Sequence, residues 1–145
     1  MRRHDQDTIR WRMHFQSPRP AVYRALTTSD GRESFWAERA PAAEGMIAFE
    51  FINGVRECSP ILEEEPERLF VIRYFGAEVR FELEEPHDGG TDLTLTTTGF
   101  LSEDREELLA GWLNVLFPLK AAVDHGIDLR NHDRSRTWDD GWADQ

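Results

Sequence analysis

The stretch SPRPAVYRALTTSDGRESFWAE, residues 17–38, decides the fold. Ser17 followed by Pro18 predicts the start of a helix, because serine caps helix N-termini and proline is favoured at the first helical position. Apolar residues then recur at helical spacing up to about Thr27. They are Val22, Tyr23 and Leu26. The first half of the stretch is therefore predicted to be a short amphipathic helix.

The second half of the stretch predicts another short helix, which follows the turn Ser29-Asp30-Gly31. Asp30 is the predicted cap, because aspartate accepts hydrogen bonds from the free N–H groups at a helix start. This helix carries two adjacent aromatic residues, Phe35 and Trp36, in a strongly acidic chain. Such a pair is predicted to be buried, either in a dry core or beside an apolar pocket.

Alternation of apolar and polar residues predicts antiparallel strands on both sides of these helices. Before them, residues 8–16 alternate cleanly. The apolar face there consists of Ile9, Trp11, Met13 and Phe15. After them, the predicted strands are 45–52, 55–64, 68–76, 78–84 and 91–98, and residues 39–45 are predicted to be a loop. Pro60 predicts a bulge or an edge position in its strand. In the last strand, Leu93 and Leu95 are predicted to face inward, and the outer face is predicted to be polar and rich in threonine.

One long helix is predicted after the strands, with Ser102 as its cap and acidic residues in its first turn. Its apolar residues recur at helical spacing. They are Leu108, Trp112, Val115, Leu116, Leu119 and Val123. Pro118 predicts a kink and Gly126 a helix end. The order of elements predicts an α+β fold in which an antiparallel sheet packs against this helix.

The composition excludes several classes of function. The 145 residues include 17 basic and 28 acidic ones, so the formal net charge is −11. Nucleic acid is not a predicted partner, because phosphate binding needs clustered cations. The most apolar run, residues 108–123, is too short to span a bilayer, so no membrane is predicted. Two origins of the acidity stay open, namely an ordinary solvated surface and adaptation to a high-salt cytoplasm.

A cytoplasmic location is predicted from two further features. The single cysteine, Cys58, cannot form an internal disulfide, which fits a reducing compartment. The basic N-terminal residues are not followed by an apolar signal core.

Four stretches resemble the helix-grip superfamily of START-related, birch-pollen-allergen-like proteins, often called SRPBCC. They are residues 17–38 as quoted, ILEEEPERLFVIRY (61–74), FELEEPHDGGTDLTLTTTGF (81–100) and GWLNVLFPLKAAV (111–123). Within the superfamily they are most similar to the single-domain bacterial branch named for the activator of the heat-shock-protein-90 ATPase. The resemblance implies a curved seven-stranded antiparallel sheet around a long C-terminal helix, with two short helices between strands 1 and 2.

The resemblance also implies a cavity between the sheet and the last helix, with the second short helix over its mouth. The expected cavity lining is Trp11, Phe35, Trp36, Phe49, Phe51, Arg73, Tyr74, Phe81, Trp112 and Leu116. These residues either plug a dry core or form a ligand site. Arg73 lies within an apolar run, where it either points to solvent or needs a buried partner.

The fold alone does not decide the function, because members of the superfamily include lipid carriers, polyketide cyclases and chaperone regulators. The leading prediction is a non-enzymatic protein that binds a small hydrophobic ligand or has a stress-related accessory role. One alternative is a cyclase- or hydrolase-type enzyme that uses polar cavity residues. The other is a co-chaperone of a heat-shock-protein-90-type ATPase.

Catalytic and metal-binding patterns are not recognisable in the sequence. No cofactor, metal or catalytic residue is therefore predicted. His125 and Asp128 are one helical turn apart and are interpreted as a surface pair.

Residues 128–145 are predicted to be a tail separate from the helix-grip domain of residues 1–127. The tail is highly charged, yet it carries Trp138 and Trp142. Disordered tails usually lack tryptophan, so both are predicted to dock. They dock either onto their own domain or onto a second copy of the chain, which would make a homodimer.

Overall fold

The computed structural model describes residues 7–145. Residues 1–6, on which part of the predicted location depends, lie outside this range. The described residues contain seven strands: β1 (Thr8–Phe15), β2 (Ala42–Ala43), β3 (Met46–Glu50), β4 (Arg56–Glu65), β5 (Leu69–Tyr74), β6 (Ala77–Glu84) and β7 (Thr91–Thr98). They form one antiparallel sheet in the order β1-β7-β6-β5-β4-β3-β2. The predicted seven-stranded sheet is confirmed.

The described part of the chain also contains three α-helices: α1 (Arg19–Thr27), α2 (Ser29–Glu33) and α3 (Arg105–His125). The two short helices lie between β1 and β2, and the long helix follows β7, as predicted. Thr28, not Asp30, caps α2, because its hydroxyl lies directly before the helix and accepts a hydrogen bond of 3.0 Å from the Gly31 N–H. Phe35 and Trp36 lie in the turn after α2 rather than within it.

The predicted capping role of Ser17 is wrong. Pro18 occupies the N-cap position of α1 and makes no side-chain cap. The Ser17 hydroxyl donates instead to the Asp124 carboxylate at 2.7 Å. Asp124 also accepts the backbone N–H groups of Gln16 at 2.9 Å and Ser17 at 3.1 Å. The connection between β1 and α1 is thereby held to the last turn of α3.

The long helix α3 continues through Pro118 and ends at Gly126. Gly126 has φ 65°, in the left-handed region that glycine adopts without strain, so the predicted helix end is confirmed. Ser102 does not cap the helix as predicted. It lies in a short 3₁₀ turn, Ser102–Asp104, that precedes α3.

The core lies between the sheet, α3 and the two short helices. Ile9 and Phe15 of β1 are fully buried, and Trp11 and Met13 pack against the core, so the predicted face of this strand is confirmed. Residues 69–72 of β5 are all buried, as their continuous apolar run predicts.

The sheet departs from the prediction at two places. β2 lies inside the segment 39–45 that was predicted to be a loop, and it pairs with β3. The N-terminal half of β4 pairs with β3 up to Pro60, and the C-terminal half pairs with β5, with a register shift between Ile61 and Glu63. The shift agrees with the irregularity predicted at Pro60.

No helix within residues 7–145 combines the length and the apolar character that a bilayer crossing requires.

Candidate functional site

A cavity of about 690 Å³ lies between the sheet and α3. Its walls come from the inner face of the sheet, from α3, from the turn after α2, from the loop after β3 and from the C-terminal tail. The residues with large side chains around it include Phe35, Trp36, Phe51, Tyr74, Phe75, Phe100, Leu108, Trp112 and Trp138. Eight of these nine side chains are aromatic, so aromatic rings form much of the cavity wall.

The register of three neighbouring strands builds the floor of the cavity. Tyr74 on β5 pairs with Ala77 on β6, and Val79 on β6 pairs with Thr97 on β7. Paired residues and residues two apart share a face of a sheet, so these four side chains lie side by side on the inner face. All four line the cavity.

Trp36 is the centre of the aromatic wall. Its ring centroid lies 4.8 Å from that of Phe49, 5.5 Å from that of Tyr74 and 6.1 Å from that of Trp112. Aromatic rings at such separations attract one another in tilted and edge-to-face arrangements. The side chain is 6% exposed. The acidic chain thus uses Phe35 and Trp36 to join the turn after α2 to the sheet and to α3.

Tyr74 provides a polar group within this wall. The Trp36 Nε1–H donates a hydrogen bond of 3.2 Å to the Tyr74 Oη. Desolvation raises the pKa of Tyr74 above its ordinary value of about 10, although the hydrogen bond from Trp36 opposes this shift. The phenol therefore stays neutral and keeps its hydrogen for donation.

Thr97 provides a second polar group on the floor. The residue is 1% exposed, and its Oγ1 has no hydrogen-bond partner among residues 7–145. Buried hydroxyl groups are nearly always paired, and this one is an exception. The Thr97 hydroxyl is therefore available to a polar group that enters the cavity.

Three carboxylates lie at the edge of the cavity, on Asp104, Glu107 and Asp139. All three residues are exposed. The lining that residues 7–145 provide contains no lysine, arginine or histidine. The rim is therefore uniformly negative.

The C-terminal tail closes one side of the cavity. The Trp138 Nε1–H donates to the Glu107 Oε1 at 3.2 Å, and the Asn53 amide donates to the Asp139 Oδ2 at 3.0 Å. Trp138 and Gln145 line the cavity directly. The tail thus contributes a wall that the sheet and α3 do not provide.

Five of the ten residues predicted to line a cavity lie around this one. They are Phe35, Trp36, Phe51, Tyr74 and Trp112. Three others, Phe49, Phe81 and Leu116, are buried in the core behind it. Trp11 packs against the core, where its indole N–H donates to the Leu109 carbonyl at 3.3 Å. Arg73 is exposed on the other face of β5.

The sequence prediction missed Thr97 and the tail residues of the lining. Thr97 was not named among the inward-facing residues, although it lies two residues after Leu95 and shares its face. The alternation that placed Leu93 and Leu95 inward was the signal that could have found it. The tryptophans of the tail were predicted to dock, but Trp138 was not predicted to line the cavity.

Other polar sites are less enclosed. A recess of about 900 Å³ lies beside the cavity and is lined mainly by polar and charged residues, among them Arg39, Glu50, Arg56 and Arg134. Within residues 7–145, no group of three or more histidine, cysteine, aspartate or glutamate side chains is arranged to hold a metal ion.

Solved structures share this architecture. The protein SSP2350 from Staphylococcus saprophyticus is 24% identical, with a TM-score of 0.74, and the match covers 85% of this chain and 96% of that one. The Aha1 dimer from Colwellia psychrerythraea is 22% identical, with a TM-score of 0.74 and coverages of 82% and 97%. The AHSA1-like protein from Aeromonas hydrophila is 17% identical, with a TM-score of 0.73 and coverages of 82% and 93%. At these identities the likeness shows the fold.

The sequence comparisons lead to one family. No curated protein sequence matches the chain significantly. Residues 16–124 match the family described as Activator of Hsp90 ATPase homolog 1-like protein, and they contain α1, α2, the strands β2 to β7 and nearly all of α3. The chain therefore belongs to the Activator of Hsp90 ATPase homolog 1-like protein family, within the helix-grip superfamily.

Proposed function

We propose that this protein binds a small, largely apolar molecule in the cavity between the sheet and α3, without chemical conversion of that molecule. The observation that carries the proposal is the cavity itself, which has about 690 Å³ and an aromatic lining. Ligand sites in proteins typically have volumes of about 300–1,000 Å³, with mainly apolar walls and a few polar groups. The cavity matches both descriptions.

The ionisable groups of the cavity favour binding over catalysis. Tyr74 is the titratable group on the floor, and its raised pKa makes it a weak acid and a weak base near neutral pH. The carboxylates of Asp104, Glu107 and Asp139 are exposed at the rim and not at the floor of the cavity. A cyclase or hydrolase would need an acid or base at the centre of the site, and no observation here favours one.

Native mass spectrometry of the protein purified from its own host tests this proposal. A discrete additional mass that leaves on denaturation is the expected result. A bare chain mass, together with no quenching of tryptophan fluorescence by naphthalene, would contradict it.

A cavity-filling variant makes the test specific to the site. Gly111 lines the cavity, and a Cβ atom added there meets nothing within 4 Å, so Gly111→Leu extends a side chain into open space. We expect this variant to lose naphthalene binding. Ala110→Leu is the matched control, because Ala110 is an exposed neighbour on α3 outside the cavity lining.

A second candidate function is an accessory role for a heat-shock-protein-90-type ATPase, which the family name suggests. The specific observation is an apolar surface beyond the cavity, where Phe117 is 54% exposed and Leu129 is 48% exposed. Both residues line a groove of about 370 Å³ between α3 and the tail. Exposed apolar patches often mark protein interfaces.

One variant distinguishes two possible partners of this groove, namely an ATPase and a second copy of the chain. Phe117→Ser should abolish any stimulation of the ATP hydrolysis of the host's heat-shock-protein-90-type ATPase, while naphthalene binding is unchanged. The similar protein from Colwellia psychrerythraea is a dimer. If the groove joins two copies of this chain, the same variant lowers the mass seen in native spectra. A cytoplasmic location and a stress-related role belong to this accessory proposal.

A further inference from the structure

We infer that the cavity selects aromatic molecules that carry an uncharged hydrogen-bond acceptor at the inner end and either no charge or a protonated amine at the outer end. It rejects carboxylates such as fatty acids and aromatic acids. This inference rests on the proposed ligand-binding function and names the chemical class of the ligand.

The inner end of the cavity offers hydrogen-bond donors to a ligand. Thr97 Oγ1 is buried and has no partner among residues 7–145, and a hydroxyl can donate one hydrogen bond. Trp36 donates to the Tyr74 Oη and fills one of its acceptor positions, while the phenol hydrogen is left for a ligand. A ligand carbonyl, which accepts and does not donate, matches either of these hydroxyl groups.

The walls favour a ligand with an aromatic body. The ring centroids of Trp36 and Trp112 lie 6.1 Å apart, and the angle between the ring planes is 69°. Both residues line the cavity with Phe35 and Tyr74. These rings offer flat and edge surfaces that a planar guest can contact closely. A flexible aliphatic chain would lose more rotational freedom on entry than a rigid planar molecule.

The rim decides the charge of the ligand. The three carboxylates of Asp104, Glu107 and Asp139 lie there, and the described lining offers no cationic side chain. A carboxylate that enters would lose water, meet no counter-ion and be repelled by the rim. A protonated amine at the outer end would be attracted by the rim and by nearby tryptophan faces.

Four naphthalene probes of matched size test the inference through quenching of tryptophan fluorescence. They are naphthalene, 2-acetylnaphthalene, 2-naphthoate and 6-aminomethyl-2-acetylnaphthalene. We expect the ketone to bind about tenfold more tightly than naphthalene, because a donor that was unpaired in the protein gains a partner. The amine should bind several-fold more tightly than the ketone at low salt, and naphthoate should bind most weakly.

Two variants assign the selectivity to the named groups. Thr97→Val should remove most of the advantage of the ketone over naphthalene, while Thr97→Ser should retain it. Thr94→Val is the control on the same strand, since Thr94 lies on the opposite face. Glu107→Gln should reduce the advantage of the amine over the ketone.

The outcomes separate this inference from the function on which it rests. If naphthalene binds but naphthoate binds as tightly as the ketone, the inference is overturned and the ligand-binding function stands. If naphthalene binds and the Thr97→Val variant still binds 2-acetylnaphthalene more tightly than naphthalene by the same factor, the proposed role of the Thr97 hydroxyl is overturned. If none of the four probes binds, the inference is overturned, and the proposed function fails as well when the native mass spectra also show a bare chain mass.

Discussion

Arg130 of the C-terminal tail donates a hydrogen bond of 2.9 Å to the backbone carbonyl of Ala37, which directly follows the cavity residue Trp36. Its guanidinium also donates to the carbonyl of Glu33 at 2.6 Å and pairs with Asp128 at 3.0 Å. Only 6% of the Arg130 side chain is exposed. The tail therefore holds the turn that carries the aromatic wall of the cavity.

Arg130→Ala is expected to lower the free energy of unfolding by about 2 kcal/mol, because two carbonyls lose a charged donor. Urea unfolding followed by tryptophan fluorescence measures the change. Arg134→Ala is the matched control, since Arg134 is an exposed arginine of the same tail. Its effect should stay within about 0.5 kcal/mol. An equal decrease in the free energy of unfolding in the two variants would contradict a specific role for Arg130.

Deletion of residues 128–145 tests the prediction that the tail docks on its own domain. The deletion removes the bonds of Arg130 and the contact between Trp138 and Glu107. We expect a lower melting temperature and an unchanged oligomeric mass. A dimer that becomes a monomer on deletion would place the tail on a second copy. An unchanged melting temperature would show that the tail contributes nothing to the stability of the domain.

His132 is expected to make stability depend on pH. Its Nε2 lies 2.7 Å from the Asp128 carboxylate and its Nδ1 lies 2.6 Å from that of Glu38. Hydrogen bonding to Asp128 is the main cause that raises the pKa of His132 above 6.5, and Glu38 adds to it. A raised pKa in the folded state stabilises the protein below pH 6.5, and this contribution is lost as pH rises through the folded pKa.

The matching experiment compares the wild-type protein with His132→Gln, which does not titrate. Their difference in free energy of unfolding should shrink as pH rises above about 6.5 and through the raised pKa of His132. NMR titration of the His132 ring gives its pKa directly. A ring that titrates at or below the ordinary value would show that the two carboxylates do not hold the charged form.

Gly31 lies where α2 crosses α1, and a Cβ there would come within 2.5 Å of the Arg24 carbonyl oxygen and 2.6 Å of the Ala25 Cα. Backbone atoms cannot move aside easily, so Gly31→Ala should destabilise the protein by roughly 1–3 kcal/mol. Gly111→Ala is the control, because no atom lies within 4 Å of the added Cβ on α3. It should be neutral or stabilise by about 0.5–1 kcal/mol through helix propensity. Thermal unfolding of both variants decides the comparison.

Much of the fold could be predicted from alternation and helical spacing, because these periods follow from backbone geometry and from the need to bury one face. The strand Thr91–Thr98 was predicted with its observed limits. The capping residues were not, since Ser17, Thr28 and Asp30 are all residue types that can cap. Tertiary contact with Asp124 decides what the Ser17 hydroxyl does, and that contact is 107 residues away in sequence.

The cavity was harder to predict than the fold. Aromatic residues in strands and helices suit a packed core and a ligand site equally well, so the sequence could not separate Phe49 or Phe81 from Trp36. Whether a ring belongs to the packed core or to the cavity wall depends on how completely the side chains of β3, β6 and α3 fill the space between the sheet and the helix. The wall formed by Trp138 depends on the path of the tail, which follows from long-range hydrogen bonds and not from a periodic pattern.

Asp124 is expected to dominate the acid sensitivity of the contact between α3 and the β1–α1 connection. Desolvation acts to raise its pKa, but hydrogen bonds from Gln16, Ser17 and Lys120 outweigh this effect and lower the pKa to about 2, from an ordinary 3.8. A lowered pKa in the folded state stabilises the protein above about pH 4, and the contribution is lost as pH falls towards 2.

Asp124→Asn should therefore lower the free energy of unfolding by about 2 kcal/mol near neutral pH, where the carboxylate is charged in the wild-type protein. The two proteins should converge as pH falls to about 2, because the wild-type group is then protonated as well. Urea unfolding across this range measures the difference, with Asp88→Asn in the exposed hairpin turn as the control. A difference that stays constant with pH would show that Asp124 acts through shape and not through its charge.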